Sequence, residues 1–373
     1  MTIAPPEFHL ARHARLRENL RAESLDALIV TSLPNIAYLT GLFASAGAVV
    51  LAHDRVVLIV DGRYAATAKA RQRQLPGAID VVTLPGSGSY DEAVATVVGT
   101  FANGRVGFDD SHMTVRQHRD LLSRVAVMDS KIEMTATAGI VERCRVVKDD
   151  WELQTLRDAG GRLSDAAKCI IPKALAGHLE REVAAGIDVE LRRVGFDKPA
   201  FDTIVAAGPN SAVPHYRAGD RALETGDLVI LDFGGMLNGY AVDMTRTVMV
   251  GGVRPRERRL LEQVAAAQAA AFAAIAIGRA ATDIDGAARG VLEREGLGEA
   301  FSHGTGHGLG LEVHERPRLA KFRPELPAEP LAAGMVFTLE PGAYLEGWGG
   351  ARIEDDVVVM DGGPHWLTDA PRM

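Results

Sequence analysis

Residues 227–247 read DLVILDFGGMLNGYAVDMTRT, and the fold turns on how this stretch is parsed. Residues 228–231 are a continuous apolar run, the mark of a buried strand. The run ends at Asp232, a carboxylate at the edge of a core. A Gly-rich turn is expected over 234–239. A second strand is expected over 240–250, carrying Asp243 with Thr245 and Thr247 at alternate positions. Side chains two apart on a strand share a face. Asp232 and Asp243 are therefore expected on neighbouring strands of a hairpin-like pair, aimed at a common point. Two such carboxylates repel unless a cation or a proton lies between them.

Composition bounds the rest. The 373 residues correspond to roughly two domains of about 150 residues each. With 47% hydrophobic and 24% charged residues, the chain is an ordinary globular protein. A formal charge of −8 leaves no basic footprint, which argues against a nucleic-acid partner. The two cysteines, Cys144 and Cys169, have no CxxC spacing and form no disulfide framework, as in a reducing compartment. The start, MTIAPPEFHLARH, has no apolar core of signal-peptide length. The most apolar helix, around 264–277, is interrupted by Gln268 and too short to span a bilayer. A cytoplasmic enzyme with no membrane partner is the expectation.

In chain order, residues 8–25 have helical spacing, 26–31 a strand pattern, and 34–40 a short helix ended by Gly41. A hairpin is expected around His53-Asp54. Helices near 64–73, 90–101 and 114–125 alternate with strands at 79–83 and 105–108. This alternation predicts an α/β domain over residues 1–140. The boundary falls near 141–148, and Asp149 or Asp150 caps the next helix, which runs to about Cys169. A helix over 180–193, a run of strands from 201, and a loop over 208–219 holding His215 lead to the hairpin. Two Ala-rich helices, 255–277 and 282–295, follow, then strands at 335–344 and 351–359. Pro324, Pro327 and Pro330 mark an irregular connection before those strands. Helices then strands, twice over, indicate an internal duplication in residues 141–373.

Potential ligands gather at element ends in this second half. Residues 302–314, SHGTGHGLGLEVH, hold His303, His307 and His314, with glycines that let backbone approach a ligand. Glu340 follows the strand MVFTL and precedes Pro341-Gly342. Glu354 lies in ARIEDDVVV, with Arg352 on its face. Singly, each has a plain structural reading. Asp232 can be a turn residue, His215 a loop residue, and Glu354 part of an exposed acidic cluster with Asp355 and Asp356 that Arg352 pairs. Two aspartates, two glutamates and one histidine at the ends of apolar strands are harder to dismiss together. Hard oxygen ligands with one imidazole suit Mn, Co, Fe or Zn. Two divalent ions would balance the four carboxylates.

The segments DFGGMLNGYAVDMTRT, HGTGHGLGLEVHE, TLEPGAYL and ARIEDDVVV together resemble the pita-bread metallopeptidase family, which holds Xaa-Pro dipeptidases (prolidases), aminopeptidase P and methionine aminopeptidases. The upstream CRVVKDDWELQTLR and the separate N-terminal domain resemble the proline-specific branch. The resemblance implies a creatinase-like N-terminal α/β domain and a C-terminal α+β pita-bread fold with a pseudo-two-fold duplication. By motif it also implies two divalent ions, manganese or else cobalt, zinc or iron. Asp232 would bind one ion through both oxygens. Asp243 and Glu354 would bridge, and His307 and Glu340 would complete the other.

His215 would lie beside the scissile bond, His314 at the substrate carbonyl, Tyr344 near the metals, and His303 with Arg352 on the proline side. The implied reaction is hydrolysis of the Xaa-Pro bond of dipeptides or peptide N-termini by a metal-bridging hydroxide, with Glu340 shuttling the proton. A homodimer is implied as well. Tyr216 after His215 departs from the small residue prolidase-like sequences often carry, and leaves dipeptidase against aminopeptidase open. Action on another small amide, methionine aminopeptidase-like activity, or a metal-free binding protein on the same fold are the alternatives. The intact ligand set argues against the last.

Overall fold

The computed structural model describes residues 2–86, 88–101, 103–128, 131–252, 254–324 and 329–371. It divides into two compact units, Thr2–Arg145 and Val146–Met373. Pro327, in the expected Pro-marked connection, lies outside the described residues.

The first unit holds β1 (Ala27–Val30), β2 (Ala48–Ala52), β3 (Val56–Val60), β4 (Asp80–Thr83), β5 (Asn103–Asp109) and β6 (Lys131–Thr137), in the sheet order β4-β3-β2-β1-β5-β6. Strands β1, β5 and β6 run parallel, and β2 joins antiparallel to both β1 and β3. Helices α1 (Pro6–Ala22), α2 (Leu33–Thr40), α3 (Ala65–Gln74), α4 (Tyr90–Val98), α5 (Val115–Val125) and α6 (Ile140–Val146) complete it. Two elements escape the sequence reading. Strand β6, KIEMTAT, is an edge strand whose alternation is mostly exposed against half-buried, so it lacks the apolar run that marks a core strand. Helix α6 lies where only a boundary was expected, and it is too short to show a period.

The second unit repeats an order of two helices followed by strands. Helices α7 (Asp150–Ile170) and α8 (Glu180–Arg193) precede β7 (Lys198–Pro199), β8 (Ile204–Ala207), β9 (Leu228–Leu237) and β10 (Tyr240–Met249). Helices α9 (Pro255–Ala274) and α10 (Ala281–Arg294) precede β11 (Gly306–Gly308), β12 (Glu315–Leu319), β13 (Val336–Leu339), β14 (Gly342–Leu345), β15 (Gly349–Arg352), β16 (Asp355–Met360) and β17 (Gly363–Trp366). One sheet has the order β10-β9-β7, with β8 also on β9. The other is β12-β11-β13-β16-β17, and β14 pairs with β15 alone. The expected α/β unit followed by a duplicated α+β unit is what the chain forms. Asp149 caps α7 through a reciprocal capping box with Glu152. The other oxygen of Glu152 accepts from Tyr240 Oη at 2.9 Å, which pins the helix to β10.

Three strands differ from those expected from the sequence. Strand β9 does not stop at Asp232. It continues through Gly234 and Gly235 to Leu237, and the turn is only Asn238-Gly239. Both turn residues have positive φ, +52° and +85°, as a two-residue hairpin of this twist requires. Gly235 serves packing instead, because a Cβ there would collide with the Phe196 ring. The two long C-terminal strands expected at 335–344 and 351–359 are each broken in two, at Glu340-Pro341 and at Ile353-Glu354. Proline cannot donate to a ladder, so β13 cannot run on through Pro341.

The backbone of β11 comes so close to β13 that a Cβ on Gly306 would fall on the Thr338 carbonyl oxygen. Gly306→Ala should therefore destabilise the protein by about 1–3 kcal/mol through overpacking. Chemical denaturation measures this, and a change within about 0.5 kcal/mol, the range of a neutral surface substitution, would show that the strands part freely.

Candidate active site

The strand breaks build the site. Strands β13 and β16 pair antiparallel with Leu339 opposite Asp355. The next residue past the end of β13 is Glu340, and the residue before β16 is Glu354, so the two leave the ladder side by side. Glu354 N donates to Thr245 O at 3.1 Å, which joins the break to the β9–β10 hairpin. In that hairpin Asp232 lies opposite Thr245, and Asp243 opposite Gly234. Positions 232, 234, 243 and 245 share one face. The segment 302–314, which contains β11, brings in the histidines, with His307 N donating to Thr338 Oγ1 at 3.2 Å.

An oxygen of Asp243, a nitrogen of His307 and an oxygen of Glu354 lie within 4.8 Å of one another. Glu340 Oε1 is 3.6 Å from His307 Nε2, and its Oε2 is 3.9 Å from His303 Nδ1. The His307 tautomer follows from its partner. Nδ1 faces the Gly308 carbonyl at 3.1 Å, and a carbonyl only accepts, so Nδ1 carries the proton. The Nε2 lone pair is then free to face Glu340, the disposition of a metal-binding imidazole. By the same argument His303 donates from Nδ1 to Gly304 O at 2.8 Å. Its Nε2 accepts from Tyr344 Oη at 2.8 Å.

Asp232 is held differently. Its Oδ2 accepts from Arg352 Nη2 at 2.6 Å, while Oδ1 is buried with no hydrogen-bond partner among the described residues. Arg352 also donates to Thr245 Oγ1 at 3.1 Å, Tyr344 Oη at 2.7 Å and Pro214 O at 3.3 Å. Each of its three nitrogens thus has a partner in the protein. It fixes the site wall and the backbone next to His215, and it does not pair the acidic run. Residues 354–356 are not an exposed cluster either, since Glu354, Asp355 and Asp356 are 2%, 0% and 0% exposed. His215 is exposed on its loop. His314, also exposed, has its ring 4.3 Å from that of His307.

Thr245 was legible only as an alternate strand position. Its hydroxyl donates to Glu354 Oε2 at 2.6 Å and accepts from Arg352, which makes it the hinge of the polar cluster. Asp285 and Arg289 went unread. They form a buried pair on α10. Asp285 Oδ1 accepts from Thr305 N and Oγ1, and Arg289 donates to the Phe301 and His303 carbonyls. An i, i+4 Asp/Arg spacing on a helix is too common a surface pattern to have signalled this.

Electrostatics decide what the cluster holds. Asp243 Oδ1, Glu354 Oε1 and Asp232 Oδ1 are buried and have no hydrogen-bond partner among the described residues. Burial, then the neighbouring carboxylates, hold the Asp243 and Glu354 carboxyls well above their usual range. Burial pushes Glu340 up to about 8, with Arg352 opposing. Burial likewise lowers His303 and His307 to about 4, so both are neutral bases. Four carboxylates and one guanidinium sum to −3. Two divalent cations would bring the site to +1, leaving one charge for an anionic oxygen. The orphaned oxygens, the free imidazole lone pair and this balance fit divalent cations.

Fold and site together define a metal-dependent enzyme of the pita-bread architecture. The model of "Metallopeptidase family M24" matches residues 154–361, and that of the "Creatinase/Prolidase N-terminal domain" matches 12–147. The chain belongs to metallopeptidase family M24. An Xaa-Pro dipeptidase of Pyrococcus horikoshii is 31% identical, over 96% of this chain and 97% of that one. The solved Xaa-Pro dipeptidase of Bacillus anthracis superposes with a TM-score of 0.89 at 32% identity, covering 98% of this chain and 99% of its own. An X-Pro aminopeptidase of Thermotoga maritima superposes with a TM-score of 0.82 at 30% identity, over 95% and 99%.

The raised carboxyl groups predict how stability depends on pH. With cations removed, the native state binds more protons at Glu340 and its neighbours than the unfolded chain does. Stability is then lost as pH rises, up to about 8 for Glu340. The lowered histidines act in the opposite sense, but only below the ordinary imidazole value of 6.5. Above that value the carboxylates act alone. Thermal denaturation in chelator should show Tm falling by several degrees from neutral pH to about pH 8.5, while cation-saturated protein holds steady. The same pH profile with and without cations would contradict the assignment.

Proposed function

We propose that this chain is a cytoplasmic peptidase that hydrolyses the bond between an N-terminal residue and a following proline. It would act with two divalent cations, manganese or else cobalt, zinc or iron, held in the unit over residues 141–373, and as a homodimer. The observation that carries this reading is the cluster of buried, orphaned carboxylate oxygens facing the free lone pair of His307. Its relatives named as Xaa-Pro enzymes, aligned over nearly the whole chain, support the substrate class.

Asp232, Asp243, His307, Glu340 and Glu354 would hold the cations, with Asp243 and Glu354 shared between them. Bound there, divalent cations acidify water and polarise a carbonyl. Glu340 lies at the edge of the cluster and passes the proton to the departing nitrogen. His314, ring to ring with His307, donates to the carbonyl oxygen as charge develops on it. His215 flanks the scissile bond. His303 and Tyr344, braced by Arg352, wall the proline side. An Xaa-Pro bond has no N–H, so the site need supply no acceptor there, and a closed wall selects the ring. Dipeptidase and aminopeptidase names both occur among the relatives at about 30% identity, so the length of peptide accepted is set by assay.

Hydrolysis of Ala-Pro should far exceed that of Ala-Ala, and comparison with Ala-Pro-Ala assigns the dipeptidase or aminopeptidase role. Equal cleavage of Ala-Ala would sink the proline assignment. Asp243→Asn keeps the shape but cannot neutralise two cations. It should lose one metal per chain and at least ~100-fold in turnover. Retention of both metals at near-normal turnover would remove Asp243 from the site.

His314→Ala should lower turnover ~100-fold at unchanged metal content, whereas His307→Ala should lose metal. Elemental analysis beside the kinetics checks this pair, and the reverse pattern would show the two roles exchanged.

A further inference from the structure

A second cluster of ligand-type residues lies in the first unit, apart from the carboxylate cluster above. Asp109 is the last residue of β5, His112 lies in the turn that follows, and Glu142 is on α6. One ligand atom from each lies within 4.8 Å of the others. Asp109 and Glu142, with Ser32 and Asn35, line a small cavity that has room for about one water-sized sphere. The cavity opens past the carboxyl ends of β1 and β5. From there the chain turns to β2 on one side of the sheet and to β6 on the other. Such a crevice is where open α/β sheets bind ligands.

The hydrogen bonds at this place are incomplete in a directed way. Asp109 Oδ1 accepts from Ser111 N at 3.0 Å and Ser111 Oγ at 2.7 Å, which fixes the carboxylate. Glu142 Oε1 accepts from Asn35 Nδ2 at 2.5 Å, and Asn35 Oδ1 in turn accepts from Arg145 Nη1 at 2.6 Å. That leaves Glu142 Oε2 buried with no partner among the described residues. Ser32, only 4% exposed, also has its hydroxyl without one. A buried acceptor and a buried hydroxyl left open on one small cavity, beside a second carboxylate and an imidazole, call for an occupant.

We propose that Asp109, His112 and Glu142 hold a third divalent cation, with the Ser32 hydroxyl as a neighbouring donor oxygen. Two carboxylates with one imidazole favour a first-row ion such as zinc or manganese over calcium, which takes oxygen ligands almost throughout. Three protein ligands leave room for water in a four-coordinate site. The ion would tie the end of β5 to α6 and stabilise the first unit without entering catalysis.

The test counts zinc in the full-length protein after stripping with chelator, reloading with zinc and dialysis. Wild type should carry about one zinc per chain more than His112→Ala and Glu142→Gln, and both variants should keep wild-type turnover. His112 is exposed, so its removal does not threaten the fold. The same comparison in an Asp243→Asn background separates this site from the other. The difference of about one zinc should persist there even if the catalytic reading fails. Equal zinc content in wild type and His112→Ala, in either background, overturns the proposal.

Discussion

Like charges cannot be buried together without an opposing charge, and that constraint organises the second unit. Asp243 and Glu354 lie at 6% and 2% exposure, each with an oxygen that has no hydrogen-bond partner among the described residues, beside Asp232 and Glu340. The fold forces this approach, because two broken strands end against a hairpin whose inward face carries carboxylates. Left alone, the cluster takes up protons. Divalent cations bound there would displace those protons, so metal affinity and stability would be coupled through them.

Two buried side chains, Arg246 and Gln268, brace the charges through hydrogen bonds where the site itself is open. Arg246 is 1% exposed and donates to the Thr245, Glu354 and Ala370 carbonyls and to Asp355 Oδ1. Gln268 reaches from α9 to Leu339 O at 3.1 Å and Asp355 Oδ2 at 3.0 Å. These two side chains tie both strand breaks, at residues 340–341 and 353–354, to the hairpin and the helix layer. Hydrogen-bonded braces around open ligands favour a site whose geometry is set before any ion binds.

Much of this was legible in the sequence. Asp232 and Asp243 announced themselves by sitting within apolar strand patterns. Glu340 did so by its place before Pro341-Gly342, and the start of α7 by the pair Asp149-Asp150, of which Asp149 is the cap. What stayed hidden depended on partners remote in sequence. Arg352 looked like the counterion of its own acidic neighbours, but it pairs with Asp232, and Arg246 pairs with Asp355. The charge balance read from four carboxylates alone therefore missed a buried +1. Gln268 looked like a flaw in an apolar helix, and it is the residue that reaches the strand break. The long β9 strand was misread because its glycines suggested a turn, whereas Gly235 makes way for Phe196 and Asn238-Gly239 does the turning.

We propose that Asp243 and Glu354 come together to share two cations. Anomalous diffraction from crystals of the full-length protein grown with manganese tests it directly. Two adjacent peaks are expected roughly 3.5–4 Å apart, the usual spacing of paired catalytic metals, with Asp243 and Glu354 each reaching both and Arg352 still against Asp232. A single peak in this cluster, or density there with Asp243 turned away from it, would contradict the claim.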